Sequence, residues 1–460
     1  MEREEDWARL LPDDVLAEVL RRVPPRWLAA SRCVCRAWRA LVDDRHLLRA
    51  ELLPRKLAGF FLCFSFLDYP EFFARSSASL ADYHTPDLRV DDHCNGLLLL
   101  EHDRVLNPAT GGYARLPPRP PERAAMQGFS HDPYLVFDPT VSSSRYDVFL
   151  VPKICSAQLK DSPETAQLEW PPSPHVLTVF SSTTWQWEER PFVREGDAAG
   201  TIADIQPDPH FRFHRTLRHA AYWRGALYVH CQNNFVMRIS LSEDTYKVIK
   251  PPSGITDISK QRKFHLGRSQ EGVYCALLQT KYGQRPRRHL WLSVWLLDES
   301  FNQMEWILKH DSDIGLAFTD VIFDKKFYGP WILENANYYY DDSDNNNVLA
   351  EQEFEWNSDD ENILHTEDSV GRFGYFNILG FHPFKEIVFL VKTNKIGLAY
   401  HLKSSKLEVL GNLYPKGYTL TDQDDDNCEY MEDALPYTPC MIGEFPTNVA
   451  DISEDEDEFE

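Results

Sequence analysis

The chain has 460 residues, 43% of them hydrophobic and 26% charged, with 71 Asp plus Glu against 48 Lys plus Arg and a formal net charge of -23. This is a globular balance with length for about two to four domains, and its acidic sign argues against nucleic-acid binding, which uses a basic stripe. The longest apolar runs, 60–64 and 97–100, fall far short of the ~20 residues a membrane-spanning helix needs, so no membrane association is expected.

The N-terminus, MEREEDWARL, is charged from its second residue and lacks the basic-then-apolar pattern of a secretory signal, which predicts a cytoplasmic and/or nuclear protein. Nine cysteines without a CxxC pair fit neither a disulfide framework nor a zinc ribbon and read as reduced thiols. Cys33 and Cys35 stand one residue apart in a helical pattern, on different faces, and no metal site is expected there.

Between Leu10 and Leu48 the pattern is helical. Pro12 suits a first turn, Asp13 and Asp14 complement the positive helix end, and Val15, Leu16, Val19, Leu20 and Val23 recur at helical spacing. Pro24 and Pro25 end this helix, and a second pattern follows through Trp27, Leu28, Ala30, Cys33, Val34, Trp38 and Leu41. Some 40 residues make too small a core to stand alone, so an interface with another chain is expected.

From Leu11-Pro12 through the Pro24-Pro25 break, Cys33-Val34-Cys35, Arg36, Trp38, Leu41 and Asp43, the segment resembles an F-box, placed at 8–50. The resemblance implies a three-helix module that docks on the SKP-type adaptor of an SCF ubiquitin ligase and, through it, on a cullin. It implies that Leu11, Pro12, Val15, Leu16, Val19, Leu20, Trp27 and Leu28 divide between adaptor contact and module core. Trp27 departs from the family's usual small or charged residue. Val34, Trp38 and Leu41 read as core.

After a linker at 51–89, which also holds the first β elements, residues 90–420 form short β-type runs separated by turns. One unit runs from Gly96-Leu100 through Arg104-Asn107-Pro108 to Leu116-Pro117-Pro118, and others follow at 135–152, 176–187, 225–251, 272–308 and 378–410. Three to four strands every 40 to 50 residues is the period of propeller blades, about six or seven at this length. The phrases His93-Cys94-Asn95-Gly96-Leu97-Leu98, Asn107-Pro108-Ala109-Thr110, Phe137-Asp138-Pro139 and Gly380-Phe381-His382-Pro383 resemble the F-box-associated, kelch-like domain of plant F-box proteins. The expected fold class is therefore α+β by domains: a small N-terminal three-helix F-box followed by a mainly β, kelch-like β-propeller.

Charge is concentrated. Residues 334–370 hold 12 Asp or Glu and 421–460 hold 15, with no Lys or Arg in either, which leaves +4 for the rest of the chain. Self-repelling carboxylates with no internal cation predict a disordered insertion and a disordered tail.

His93 and Cys94 are adjacent on a strand and point to opposite faces, which precludes a nucleophile–base pair. His210 and His214 lie beside Pro207 and Pro209, where a helix is disfavoured, and read as a loop rather than a metal site. No Walker loop, GxGxxG or GxSxG is present. The reading is a non-catalytic substrate receptor with no cofactor, no metal and an unknown protein substrate. The alternatives are an adaptor-bound interaction scaffold outside ubiquitination and, further off, a propeller hydrolase.

Overall fold

The computed structural model describes residues 12–23, 28, 31, 35–45, 47, 56–65, 67–75, 84, 86–121, 128–156, 159, 162–206, 218–252, 255, 262–282, 288–300, 304–315, 329–334, 376–392, 395–415 and 431–441. Among the described residues, α1 (Asp13–Arg21) and α2 (Arg36–Asp44) belong to the N-terminal module, and Leu28 and Ser31 between them are also helical. They enclose a core of Leu16, Ala17, Leu20, Leu28, Leu41, Val42 and Leu47, with Val23 and Trp38 partly buried against it. Arg45 ties the end of α2 to Asp14 at 2.7 Å. No helix among the described residues is long and apolar enough to cross a membrane.

The rest of the described chain is almost entirely antiparallel sheet. Sheet I begins with β1 (Gly59–Phe64) and β2 (Glu71–Arg75), and sheet II is β3 (Val90–Cys94), β4 (Leu97–Leu100), β5 (Arg104–Asn107) and β6 (Gly112–Arg115). Sheet III holds β7 (Phe129–Phe137), β8 (Tyr146–Ile154), β10 (His175–Ser181) and β11 (Gln186–Glu195). A short helix, α3 (Pro163–Ala166), and the paired two-residue strands β9 (Glu169–Trp170) and β12 (Gly200–Thr201) lie beside it in the chain. Sheet IV is β13 (Ala220–Trp223), β14 (Ala226–His230), β15 (Val236–Ser240) and β16 (Thr245–Ile249). Sheet V is β17 (Arg262–Ser269), β18 (Gly272–Tyr282), β19 (Arg288–Asp298) and β20 (Glu305–Asp313). After β21 (Trp331–Glu334) comes sheet VI, β22 (Phe376–Phe381), β23 (Ile387–Lys392), β24 (Ile396–His401) and β25 (Lys406–Asn412), and the last strand is β26 (Met431–Tyr437).

Sheets III and IV join into one eight-stranded sheet through a three-residue parallel pairing of Val193–Glu195 in β11 with Thr245–Lys247 in β16. Sheet I has the order β21-β2-β1-β26, so it draws strands from residues 59–75, 331–334 and 431–437. The strands β26, β3, β7, β13, β17 and β22 each lie against the next, and β22 lies against β26.

Each sheet contributes residues from both faces to two apolar cores, which explains the apolar runs of its inner strands, whereas outer strands such as β11 and β20 are largely exposed. Successive strand residues point to opposite faces. In β4, Leu98 and Leu100 enter the core shared with sheet I, while Leu97 and Leu99 enter the core shared with sheet III. In β1, Phe60, Leu62 and Phe64 face sheet VI, and Phe61 and Cys63 face sheet II. β18 divides likewise, with Val273 and Cys275 toward sheet IV and Tyr274, Ala276 and Leu278 toward sheet VI. The remaining core, between sheets III and IV, contains Phe149, Val179, Phe192, Leu227 and Met237. Each pair of neighbouring sheets therefore shares one apolar core among the described residues.

β26 corrects the expectation of a disordered tail over 421–460. Six residues of that acidic stretch pair with β1, from Gly59 opposite Tyr437 to Phe64 opposite Met431, with Glu432 left out of the register at an irregularity between Cys63 and Phe64. Met431, Ala434, Leu435 and Tyr437 are buried. The charges next to them find partners elsewhere in the chain: Glu432 pairs with Arg89 and accepts a hydrogen bond from Ser65 Oγ at 3.0 Å. The segment contains no cation of its own, but the fold supplies one. Glu334, the first residue of the expected insertion, likewise ends β21; residues 335–370, and 421–430 and 442–460 of the tail, lie outside the described residues.

Candidate functional site

The first candidate surface is on α1. The helix starts after Pro12, whose carbonyl accepts from the Leu16 amide at 3.0 Å, and Asp13 and Asp14 occupy the first turn beside the positive helix end. The sequence left open how the eight adaptor-interface candidates divide between core and surface. Leu16, Leu20 and Leu28 are core residues, whereas Val15 and Val19, four residues apart on one face, are 48% and 52% exposed, and Pro12 is exposed. Leu11 and Trp27 lie outside the described residues, as does Val34. Burying two valines costs nothing electrostatically, so a helix that leaves them in water offers an apolar stripe to a partner.

The second candidate is where the first strands of the sheets converge. His93 on β3, His219 just before β13, and His265 and Arg268 on β17 meet there. The His219 and His265 rings are 4.0 Å apart between centroids, and His265 lies 5.9 Å from Phe381 of β22. Sheets II and V are opposite one another in the cycle, so the influence of Arg268 and His219 on His93 crosses the axis. Burial, followed by the Arg268 and His219 charges, holds His93 down at about 4. Burial and its neighbouring imidazoles hold His265 well below the ordinary histidine value. The sequence missed this cluster. Its four members come from β3, the residue before β13, and β17, with His93 more than a hundred residues ahead of the others, and no spacing rule links them.

Cys94 is not a nucleophile partner of His93. Its Sγ donates to the Phe137 carbonyl at 3.4 Å and accepts from the Phe137 amide at 3.3 Å, and burial pushes the thiol up to about 12. Asn95, Gly96 and Asn107, which belong to the phrases that resemble the F-box-associated domain, also act at a distance. Asn95 Nδ2 donates to Phe137 O at 2.6 Å, and Asn107 Nδ2 donates to Cys440 O at 3.0 Å. Gly96 has φ +94, and a Cβ there would lie 2.5 Å from Cys440 Cβ, so only glycine fits. These phrases clasp the chain just after β26. His210 and His214 lie outside the described residues.

A smaller cleft opens between sheets III and IV. Lys153 and Asp132 pair in it at 2.8 Å, and Gln232 bridges the two sheets by accepting from the Ile154 amide at 2.8 Å and donating to the Ile154 carbonyl at 2.7 Å. His175, held down at about 4 by burial, sits between the Trp170 and Tyr246 rings. No group of three or more His, Cys, Asp or Glu among the described residues could hold a metal ion.

The described residues thus present an exposed apolar stripe on a helical N-terminal module followed by a sheet-rich body, and residues 9–50 match the F-box domain family. F-box domains bind SKP1-type adaptors within SCF complexes. The chain is also similar to a protein of Arabidopsis thaliana that bears an F-box protein name, 26% identical over 171 residues, covering 33% of this chain and 42% of the relative. The match thus spans less than half the length of that relative.

Proposed function

We propose that this protein is the substrate-recognition subunit of an SCF ubiquitin ligase. The F-box docks on the SKP-type adaptor, and through it on the cullin, by way of Leu11, Pro12, Val15, Val19 and Trp27, with Leu16, Leu20 and Leu28 supporting that face from beneath. The β body acts as a kelch-like propeller of six four-stranded blades that binds the target protein. Six shared cores in a cycle and a blade assembled from both ends of the chain support this reading; the parallel joint between sheets III and IV is its departure from a regular propeller. The receptor transfers nothing itself and contributes proximity from a rigid scaffold.

The observation that carries the adaptor role is the exposure of Val15 and Val19 on a helix whose Leu16 and Leu20 are buried. Val15→Asp with Val19→Asp should reduce co-purification with an SKP-type adaptor at least tenfold without changing the melting temperature. Undiminished binding would remove α1 from the interface. Target engagement is tested separately, by the accumulation of ubiquitinated partners in cells that carry the F-box and their loss when residues 9–50 are deleted.

A further inference from the structure

We infer that residues 115–121, Arg-Leu-Pro-Pro-Arg-Pro-Pro, form a docking ridge for a polyproline-reading domain of a second protein, one with an aromatic-lined groove and an acidic rim. This role is independent of the receptor reading, which gives the segment no partner.

The shape of the segment follows from covalent chemistry. Proline fixes φ at about −65° and pushes the residue before it into the extended or polyproline II region. Each residue from Leu116 to Pro121 either is a proline or precedes one. The stretch leaves the outer strand β6 of sheet II and belongs to no helix or strand. A polyproline II helix has three residues per turn, so residues three apart share an edge.

The three edges have different surroundings. Leu116 and Arg119 share the edge turned toward the β body. Leu116 is 5% exposed and belongs to the core between sheets II and III, and its amide donates to the Asp103 carbonyl at 2.8 Å. Arg119 grips the carboxylate of the same residue, with Nε donating to Oδ2 at 2.7 Å and Nη2 to Oδ1 at 2.6 Å. Asp103 thus clamps one whole turn, and Trp187 Nε1 adds a bond to the Pro117 carbonyl at 2.8 Å. The other two edges, Pro117 with Pro120 and Pro118 with Pro121, are turned away. Pro118, Pro120 and Pro121 are exposed and Pro117 is half-buried. Arg115, one turn before Pro118, is exposed and has no ion pair among the described residues. The carbonyls of Pro118, Pro120 and Pro121 accept no hydrogen bond among them either.

A strut that merely stiffened the exit from β6 would need only the edge that touches the body. Two outward proline edges, free carbonyls and a cation at one end are what an aromatic groove reads. Its rings pack against the prolines, its indole or phenol groups donate to the carbonyls, and carboxylates on its rim take the arginine. The ridge is fixed before binding, so little conformational entropy is lost. The residues such a groove leaves untouched, Leu116 and Arg119, are the two by which the segment is fastened down.

The test uses the full chain and, as probe, an SH3 domain of the class that binds Arg-x-x-Pro-x-x-Pro peptides. The domain is titrated by calorimetry with the blocked heptapeptide Arg-Leu-Pro-Pro-Arg-Pro-Pro and then with the protein. Both should bind saturably, the protein at least as tightly as the peptide, and excess heptapeptide should displace the protein. Pro118→Ala with Pro121→Ala should weaken binding at least tenfold without moving the melting temperature, since both side chains are exposed. Arg115→Glu should weaken it at least threefold. A heptapeptide that does not bind overturns the recognition chemistry, and a protein that does not bind a peptide-competent probe overturns the ridge. Undiminished binding by the folded double variant also overturns it. Should that variant not fold, the competition decides: displacement by the heptapeptide supports the ridge, and its failure sinks it.

Discussion

The two ends of the chain show opposite relations between composition and burial. Near the N-terminus, α1 is apolar enough to bury more than its small core accepts, and Val15 and Val19 remain in water. Near the C-terminus, β26 comes from one of the most acidic stretches of the protein, yet it is built into sheet I. Local composition reports what a segment could bury; the fold's other residues decide what it does bury. Where the core is small the surplus becomes an interface, and where distant cations such as Arg89 are available the charges cease to be an obstacle.

The contrast breaks most severely at the C-terminal end. A chain ending at residue 430 loses the β1 partner strand, the Glu432 contacts and the Asn107–Cys440 bond, and should lose cooperative unfolding of the β body, read by calorimetry. A chain ending at 441 retains all of these and should melt like the full protein. Equal melting of both truncations would show that β26 is an ornament on an already closed body.

Next in size are single core deletions. Phe60 is fully buried and packs edge-on against Phe389 at 4.9 Å between ring centroids, so Phe60→Ala should cost ~3–5 kcal/mol in denaturant unfolding. Trp295, which its strand pattern suggests is core, is only partly buried beside the core of sheets IV and V, so Trp295→Ala should cost less than Phe60→Ala. A larger loss at Trp295 would show that the IV–V core holds the body together more than the VI–I core.

The pH response is smaller and has a definite sign. His93 and His175 have folded pKa values near 4 against an ordinary value of 6.5, and His219, His230 and His265 are lowered too. Between these values the unfolded chain binds more protons, so this contribution is complete above pH 6.5 and is lost as pH falls toward 4. Melting temperature should fall over that window, and His93→Gln should flatten the fall. Asp92 runs the other way: its folded pKa near 8 exceeds the unfolded value, so the folded state binds more protons and the burial penalty grows as pH rises from about 4 to 8. Asp92→Asn keeps an oxygen for the Leu135 amide and should stabilise the protein at pH 8 but not at pH 4. The opposite pH dependence would mean that Asp92 is charged in the folded state.

The sequence by itself determined the N-terminal helix, because proline, paired acids and a 3.6-residue apolar repeat act within one or two turns. It also determined most strands from β4 to β25, because runs such as 97–100 and 387–391 alternate between two cores and are apolar throughout. Only the tertiary structure decided that Leu16, Leu20 and Leu28 face inward while Val15 faces out, since the residues that cover them come from the second helix. It alone decided that an acidic segment supplies a strand of sheet I, since Arg89 and Ser65 lie more than three hundred residues away. The gathering of His93, His219, His265 and Arg268 was likewise decided there. A single side chain in a strand carries no mark of which distant strand it will meet; that information lies in the order in which the sheets close upon one another.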